Sequence, residues 1–256
     1  MLNITRTSYV ARVTLNRPEV RNAFNEALIA ELTAAFAELS QDKGLRAIVL
    51  AAEGKAFCAG ADLNWMKAMA GYSWAENKAD ADRLAEMLWT IYSCPVPVIA
   101  RVQGDAYAGG VGLVSVCDIV VSAESASYCL SEAKLGLLPA TIAPYVVRAL
   151  GEQASRRYFT TAERFGAAEA HRLGLVHELV AADALDAKVD ELLAALTANG
   201  PAAARACKKL VQDVAHVPIT PALRDDTARR IADIRASDEG KAGVQSFLNK
   251  APAPWL

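Results

Sequence analysis

The sequence predicts an α/β core followed by a helical C-terminal region, and two observations carry that expectation. Short apolar runs, at residues 47–51 and 98–102, alternate with amphipathic helical stretches over the first half of the chain. After about Ala140 strand signals nearly vanish, apart from residues 176–180, and alanine-rich helical segments take over. Strand, helix, strand, helix implies βαβ units with right-handed crossovers. Residues 4–6 and 9–15 read as a hairpin. Asn25 reads as a helix N-cap, and Leu28, Leu32, Ala35, Phe36 and Leu39 follow at the spacing of one buried helix face, with Gly44 ending the helix. Ala47-Ile48-Val49-Leu50-Ala51 is apolar throughout, as suits a strand covered on both sides. Ser73 with Glu76 forms a capping box for a helix to about Ile91. Pro95 and Pro97 introduce the strand at 98–102, and Ile119-Val120-Val121 gives another. Helices are expected near 153–161, 182–198, 201–214, 221–236 and 238–248, with Pro201 in a first turn. The chain thus divides into a core over residues 1–195 and a helical region over 196–256 that is expected to pack against another subunit.

Composition narrows the function classes. The 256 residues are 53% hydrophobic, enough for a full core without disulfides or metal. A net charge of −2 gives no basic surplus for nucleic acid and no basic block for an anionic membrane. The five cysteines are odd in number and form no CxxC, so reduced thiols in a cytoplasmic protein are expected. The N-terminus shows no secretory signal, and no apolar run approaches the roughly 18 residues of a membrane span.

Three segments carry candidate chemistry. Gly54-Lys55-Ala56-Phe57-Cys58-Ala59-Gly60-Ala61-Asp62-Leu63 follows the strand at 47–51. Small residues beyond a strand end let backbone N–H groups approach a ligand oxygen, although an ordinary tight loop with Asp62 as N-cap fits as well. Val102-Gln103-Gly104-Asp105-Ala106-Tyr107-Ala108-Gly109-Gly110-Val111-Gly112 follows the strand at 98–102. A helix opening near Gly109 would aim free N–H groups at an anion. The P-loop, GxGxxG and GxSxG patterns are absent, which leaves a backbone-donor loop. The third segment, Tyr128-Cys129-Leu130-Ser131-Glu132-Ala133-Lys134-Leu135-Gly136-Leu137-Leu138-Pro139, sets Glu132 in an apolar stretch. A desolvated carboxylate there would have a raised pKa suited to proton transfer; a surface glutamate paired with Lys134 is the plain alternative.

Together these segments resemble the enoyl-CoA hydratase/isomerase (crotonase) superfamily. The likeness runs from Leu15-Asn16-Arg17-Pro18 and Asn22-Ala23 through the three segments and Cys117-Asp118 to Gly174-Leu175-Val176. It implies a crotonase (ClpP-like) spiral of ββα turns with a C-terminal trimerisation region, assembling as a homotrimer or hexamer. It implies an oxyanion hole from the amides of Ala59 and Gly109, with Glu132 as acid–base. Arg21, Ala23, Ala61, Asp62, Leu63 and Gly110 would bind the acyl-CoA, largely through backbone groups. No separate cofactor or metal is implied, because coenzyme A belongs to the substrate.

The resemblance breaks at one position. Hydratases of the family carry a first glutamate three residues after the Gly109 position, and this chain has Gly112 there. A single-glutamate enoyl-CoA isomerase is therefore an alternative to a hydratase. Residues 130–145, 64–66 and 158–165 resemble the branched-chain hydratases of leucine and acyclic-terpene breakdown, whose substrates carry a second carboxylate. That carboxylate, or a water held by Gly112, is expected to stand in for the missing glutamate. His171, His177 and His216 are given structural or surface roles, and Cys58 is not proposed as a nucleophile. Trp65, Met66 and Met69 either wall the acyl pocket or pack in the core, and Asp105 or Tyr107 could help protonate a bound species, Asp105 being equally a turn residue. Lys208-Lys209 is expected on a solvated helix face, with contact to the phosphates of coenzyme A as the alternative.

Overall fold

The computed structural model describes all 256 residues. Ten strands divide between two sheets. The larger is ordered β1 (Leu2–Arg6), β2 (Val10–Leu15), β3 (Ala47–Ala52), β5 (Val98–Val102), β7 (Ile119–Ala123) and β10 (Glu178–Val180). Only β1 runs antiparallel to its neighbour. The smaller is ordered β4 (Ala56–Cys58), β6 (Asp105–Tyr107), β8 (Ser127–Cys129) and β9 (Arg164–Gly166), with β9 antiparallel. The pairs β3–β4, β5–β6 and β7–β8 each send one strand to either sheet, so the chain winds as a spiral of ββα turns, as the sequence resemblance implies.

The eleven helices are α1 (Glu26–Gln41), α2 (Leu63–Met69), α3 (Trp74–Tyr92), α4 (Gly109–Ser115), α5 (Ala143–Leu150), α6 (Glu152–Thr161), α7 (Ala167–Leu173), α8 (Leu185–Thr197), α9 (Pro201–Val214), α10 (Pro221–Ala236) and α11 (Asp238–Leu248). The expected caps are present. Asn25 accepts from the Leu28 amide at 2.8 Å, and Ser73 and Glu76 form a reciprocal capping box. None of the helices is long and apolar enough to cross a membrane.

Strand β3 shows why its sequence is apolar at every position. Alternate side chains point to opposite faces. Ile48 and Leu50 enter the main core with Phe36, Leu88 and Val98, while Val49 and Ala51 meet Leu185 and Val189 of α8 on the other side. Helices α9, α10 and α11 contain no buried residue, and Ile231, Val244, Phe247 and Leu248 are exposed there.

Candidate active site

The three chemical segments converge because each leaves the same end of three adjacent parallel strands. Register pairs Cys58 of β4 with Ala106 of β6, and Tyr107 of β6 with Cys129 of β8. The loops beyond then touch. A Cβ on Gly60, whose φ is +88°, would lie 3.0 Å from that of Ala108, and a Cβ on Gly110 would overlap the Cys58 carbonyl. Glycine at these two positions is what lets the first loop lie against the second. These short strands were not expected from the sequence; it placed the loops directly after β3 and β5.

Ala108 is a further unanticipated feature. It holds φ 49° and ψ −120°, outside the ordinary regions for an L-residue, at a cost of about 1–3 kcal/mol. Its own amide is fixed to Cys129 O at 2.8 Å. The twist delivers the chain into α4, whose first two residues, Gly109 and Gly110, have no preceding turn to accept from their N–H groups. The expectation of a helix opening near Gly109 therefore holds.

The partner donor needs correction. The Ala59 N–H is already engaged, donating to Arg21 O at 3.0 Å. Two residues on, Phe24 pairs around Ala61: its N–H donates to Gly60 O at 2.7 Å and its carbonyl accepts from Asp62 N–H at 2.7 Å. Between them the Ala61 N–H has no acceptor in the chain. The geometry thus leaves Ala61, rather than Ala59, with a free amide to set beside Gly109. Spacing could not reveal this, because the choice depends on pairing with a segment more than thirty residues earlier.

Glu132 stands three residues beyond β8, at the start of a short 3-10 turn over Glu132–Leu135. The residue is half-buried, and its Oε2 is sealed from solvent without a hydrogen-bond partner. Burial pushes its carboxyl above the usual range. A buried acceptor left unpaired is costly, and Glu132 Oε2 shares that state with Arg46 Nε, Gln103 Oε1 and Ser155 Oγ.

The residues expected to hold coenzyme A, apart from Gly110 in α4, lie in two neighbouring segments around Arg21–Ala23 and Ala61–Leu63. Arg17 ties the two together, its guanidinium donating to Ala23 O at 2.7 Å and to Asp62 Oδ2 at 2.9 Å. Asp62 also caps α2 by accepting from the Asn64 amide at 2.8 Å, and this bond with the Arg17 bond holds its carboxyl below the usual range. Its carboxylate therefore organises the two segments rather than reaching outward. Arg21 and Asn22 both adopt left-handed backbone conformations. Asn22 is fully buried and donates to Glu53 O and Ala56 O while accepting from the Arg17 amide. Leu63 is 73% exposed and offers an open apolar surface beside them. The positioning roles of Arg17 and Asn22 were missed from sequence, although both sit in the motif that carried the resemblance.

Position 112 is filled in the side-chain direction: a Cβ built on Gly112 would overlap Ile142 Cγ2 and lie 2.7 Å from Ile142 Cβ. The isoleucine of the α5 N-cap fills the volume. Lys208 also departs from expectation, since its side chain is only 7% exposed and its Nζ donates to Asp118 Oδ2 at 2.6 Å. Lys209 does lie on an exposed face, paired with Asp213. Cys58 is buried, its thiol pushed up to about 12, which suits packing and not nucleophilic attack.

The chain as a whole is similar to known proteins. The family model described as enoyl-CoA hydratase/isomerase matches residues 5–256. A crystal structure from Legionella pneumophila, described as an enoyl-CoA hydratase/isomerase (crotonase), superposes with a TM-score of 0.94 at 42% identity, covering 100% of this chain and 98% of that one. An enoyl-CoA hydratase from Shewanella pealeana superposes with a TM-score of 0.96 at 40% identity, covering 99% and 95%. The Alternaria alternata enoyl-CoA hydratase ACTT6 is 35% identical over 239 residues, which span 92% of this chain and 77% of its own.

Proposed function

The chain belongs to the enoyl-CoA hydratase/isomerase family, and from that premise we propose that it adds water across the α,β double bond of an enoyl-CoA thioester. The carrying observation is Glu132, whose sealed, unpartnered Oε2 follows β8 at the same end of the small sheet as the free amides of Ala61 and Gly109. The two N–H groups would hold the thioester oxygen. As the water oxygen bonds to C3, its proton passes to the Glu132 carboxylate, the C2–C3 π electrons shift to C1–C2, and the carbonyl π pair moves onto the thioester oxygen as an enolate. Glu132 then returns the proton to C2, completing addition of one water. Donors fixed in advance stabilise the enolate without reorganising, and each is worth about 2.7–4 kcal/mol in such a hole.

The preferred acyl group is branched or dicarboxylic, of the 3-methylglutaconyl type, with its own carboxylate helping to hold the water. The likeness of residues 130–145 to branched-chain hydratases supports this. Self-association as a trimer or hexamer through residues 196–256 is supported by the apolar side chains exposed on α10 and α11. The cytoplasm is the proposed compartment.

A second reading has its own observation. With Ile142 filling the space at Gly112, one carboxylate serves the site, and a single base suffices to move a proton from C2 to C4 of a 3-enoyl-CoA. The ultraviolet band of the conjugated enoyl thioester separates the two. Hydration of 3-methylglutaconyl-CoA lowers it, and isomerisation of 3-hexenoyl-CoA raises it. The hydratase reading fails if only the second change occurs.

A further inference from the structure

Gly112 and Ile142 are far apart in sequence yet share one volume. Gly112 lies one helical turn beyond Gly109, and side chains three apart on a helix share a face. A side chain at 112 would lean back along α4 toward the first turn, where the Gly109 amide is free. Ile142 occupies that direction and is 2% exposed. Its β-branched side chain is stiff at χ1, so it cannot swing aside without backbone movement.

We infer that Ile142 is a specificity-determining residue. It walls with hydrocarbon the position from which a second carboxylate could serve the acyl chain, confining proton transfer to Glu132. The site thereby favours thioesters for which one protein carboxylate suffices and turns over plain straight-chain enoyl thioesters poorly. The inference rests on the enolate chemistry proposed above.

The test compares wild type, Gly112→Glu, Ile142→Gly, the double variant and Ile142→Glu. Three readouts are taken: melting temperature, hydration of crotonyl-CoA, and deuterium exchange at C2 of butyryl-CoA in D2O. Gly112→Glu alone is expected to melt lower and to gain no hydration. The double variant is expected to recover the melting temperature and hydrate crotonyl-CoA at least about tenfold faster than wild type, within the roughly 10²–10⁴ that a placed acid–base contributes. Ile142→Glu reaches the same volume from α5 without needing space at position 112, and a comparable gain is expected. Folded carboxylate variants that exchange deuterium but gain no hydration would overturn the role of Ile142. So would an equal gain from Ile142→Gly, which adds room and no carboxylate. Loss of exchange in wild type would instead remove the enolate chemistry itself, whatever the hydration result.

Discussion

Replacing Asn22 with alanine should unfasten the Arg21–Ala23 segment from the loop that carries Ala61. The side chain is fully buried. Its amide donates to Glu53 O at 2.8 Å and Ala56 O at 3.0 Å, and its oxygen accepts from Arg17 N–H at 2.9 Å. Ala56 O keeps a second donor, Gln103 Nε2 at 3.1 Å, so the substitution strands two groups rather than three. Both stranded groups are part-buried, so each costs about 1–2 kcal/mol, the lower part of the range for buried groups. Asparagine also tolerates its φ of 56° better than alanine, adding about 1 kcal/mol. The expected loss is therefore about 3–5 kcal/mol, a large part of the about 5–15 kcal/mol typical of a whole domain. At about 2–4 °C per kcal/mol for a chain of this size, the melting temperature should fall by roughly 6–20 °C. Asn22→Gly restores the backbone conformation but not the hydrogen bonds, and should recover only about 1 kcal/mol. Thermal and urea unfolding measure both. A loss under about 1 kcal/mol for the alanine variant would refute the assignment of Asn22 as the fastening.

Other outcomes follow from the same geometry. Glu132→Gln should abolish turnover, and it should also melt higher than wild type near pH 8. Burial raises the folded-state pKa of Glu132, so the folded form binds its proton more tightly than the unfolded form, and wild-type stability falls as pH rises through that raised value. The advantage of the glutamine variant should shrink toward pH 4, where the carboxyl is protonated in both states; melting curves across pH show it. Replacing the Ala61 N–H with an ester oxygen by semisynthesis should lower kcat about 10²–10³-fold. The same replacement at Ala59 should cost about 1 kcal/mol of stability through the lost bond to Arg21 O and leave kcat largely intact. Lys208→Ala should destabilise by about 3 kcal/mol by leaving Asp118 unpaired, and Asp118→Asn in the Lys208→Met background should recover part of it in thermal melts.

The parts of the fold legible in sequence were those written in local periodicity. Helix α1 announces itself through Asn25 and five apolar residues on one face, and β3 through an unbroken apolar run matching burial on both sides. The C-terminal helices were placed within a few residues, with α9 to α11 at their observed bounds. Strands β4, β6, β8 and β9 are three residues each, too short for a period to show, and they are what align the three loops. Helices α5 and α7 were also missed, being short and bounded by glycine and proline. At the site, the family resemblance singles out Glu132 and Gly109, and the structure sets both beyond adjacent parallel strands. The exchange of Ala59 for Ala61 was not legible, since both are small residues in one loop and only the pairing with Phe24 distinguishes them. The filling of Gly112 by Ile142 was equally hidden, because a missing side chain says nothing about which distant residue takes its volume.

The most direct measurement is deuterium exchange at C2 of butyryl-CoA in D2O, followed by mass spectrometry for wild type and Glu132→Gln. This substrate has no double bond to hydrate, so it isolates enolate formation at the paired amides from any later step. Wild type should incorporate deuterium at C2, and Glu132→Gln should bind the thioester with similar affinity while incorporating none. Equal exchange in both proteins, or none in a folded wild type that binds butyryl-CoA, would contradict an enolate held by Ala61 and Gly109 and served by Glu132.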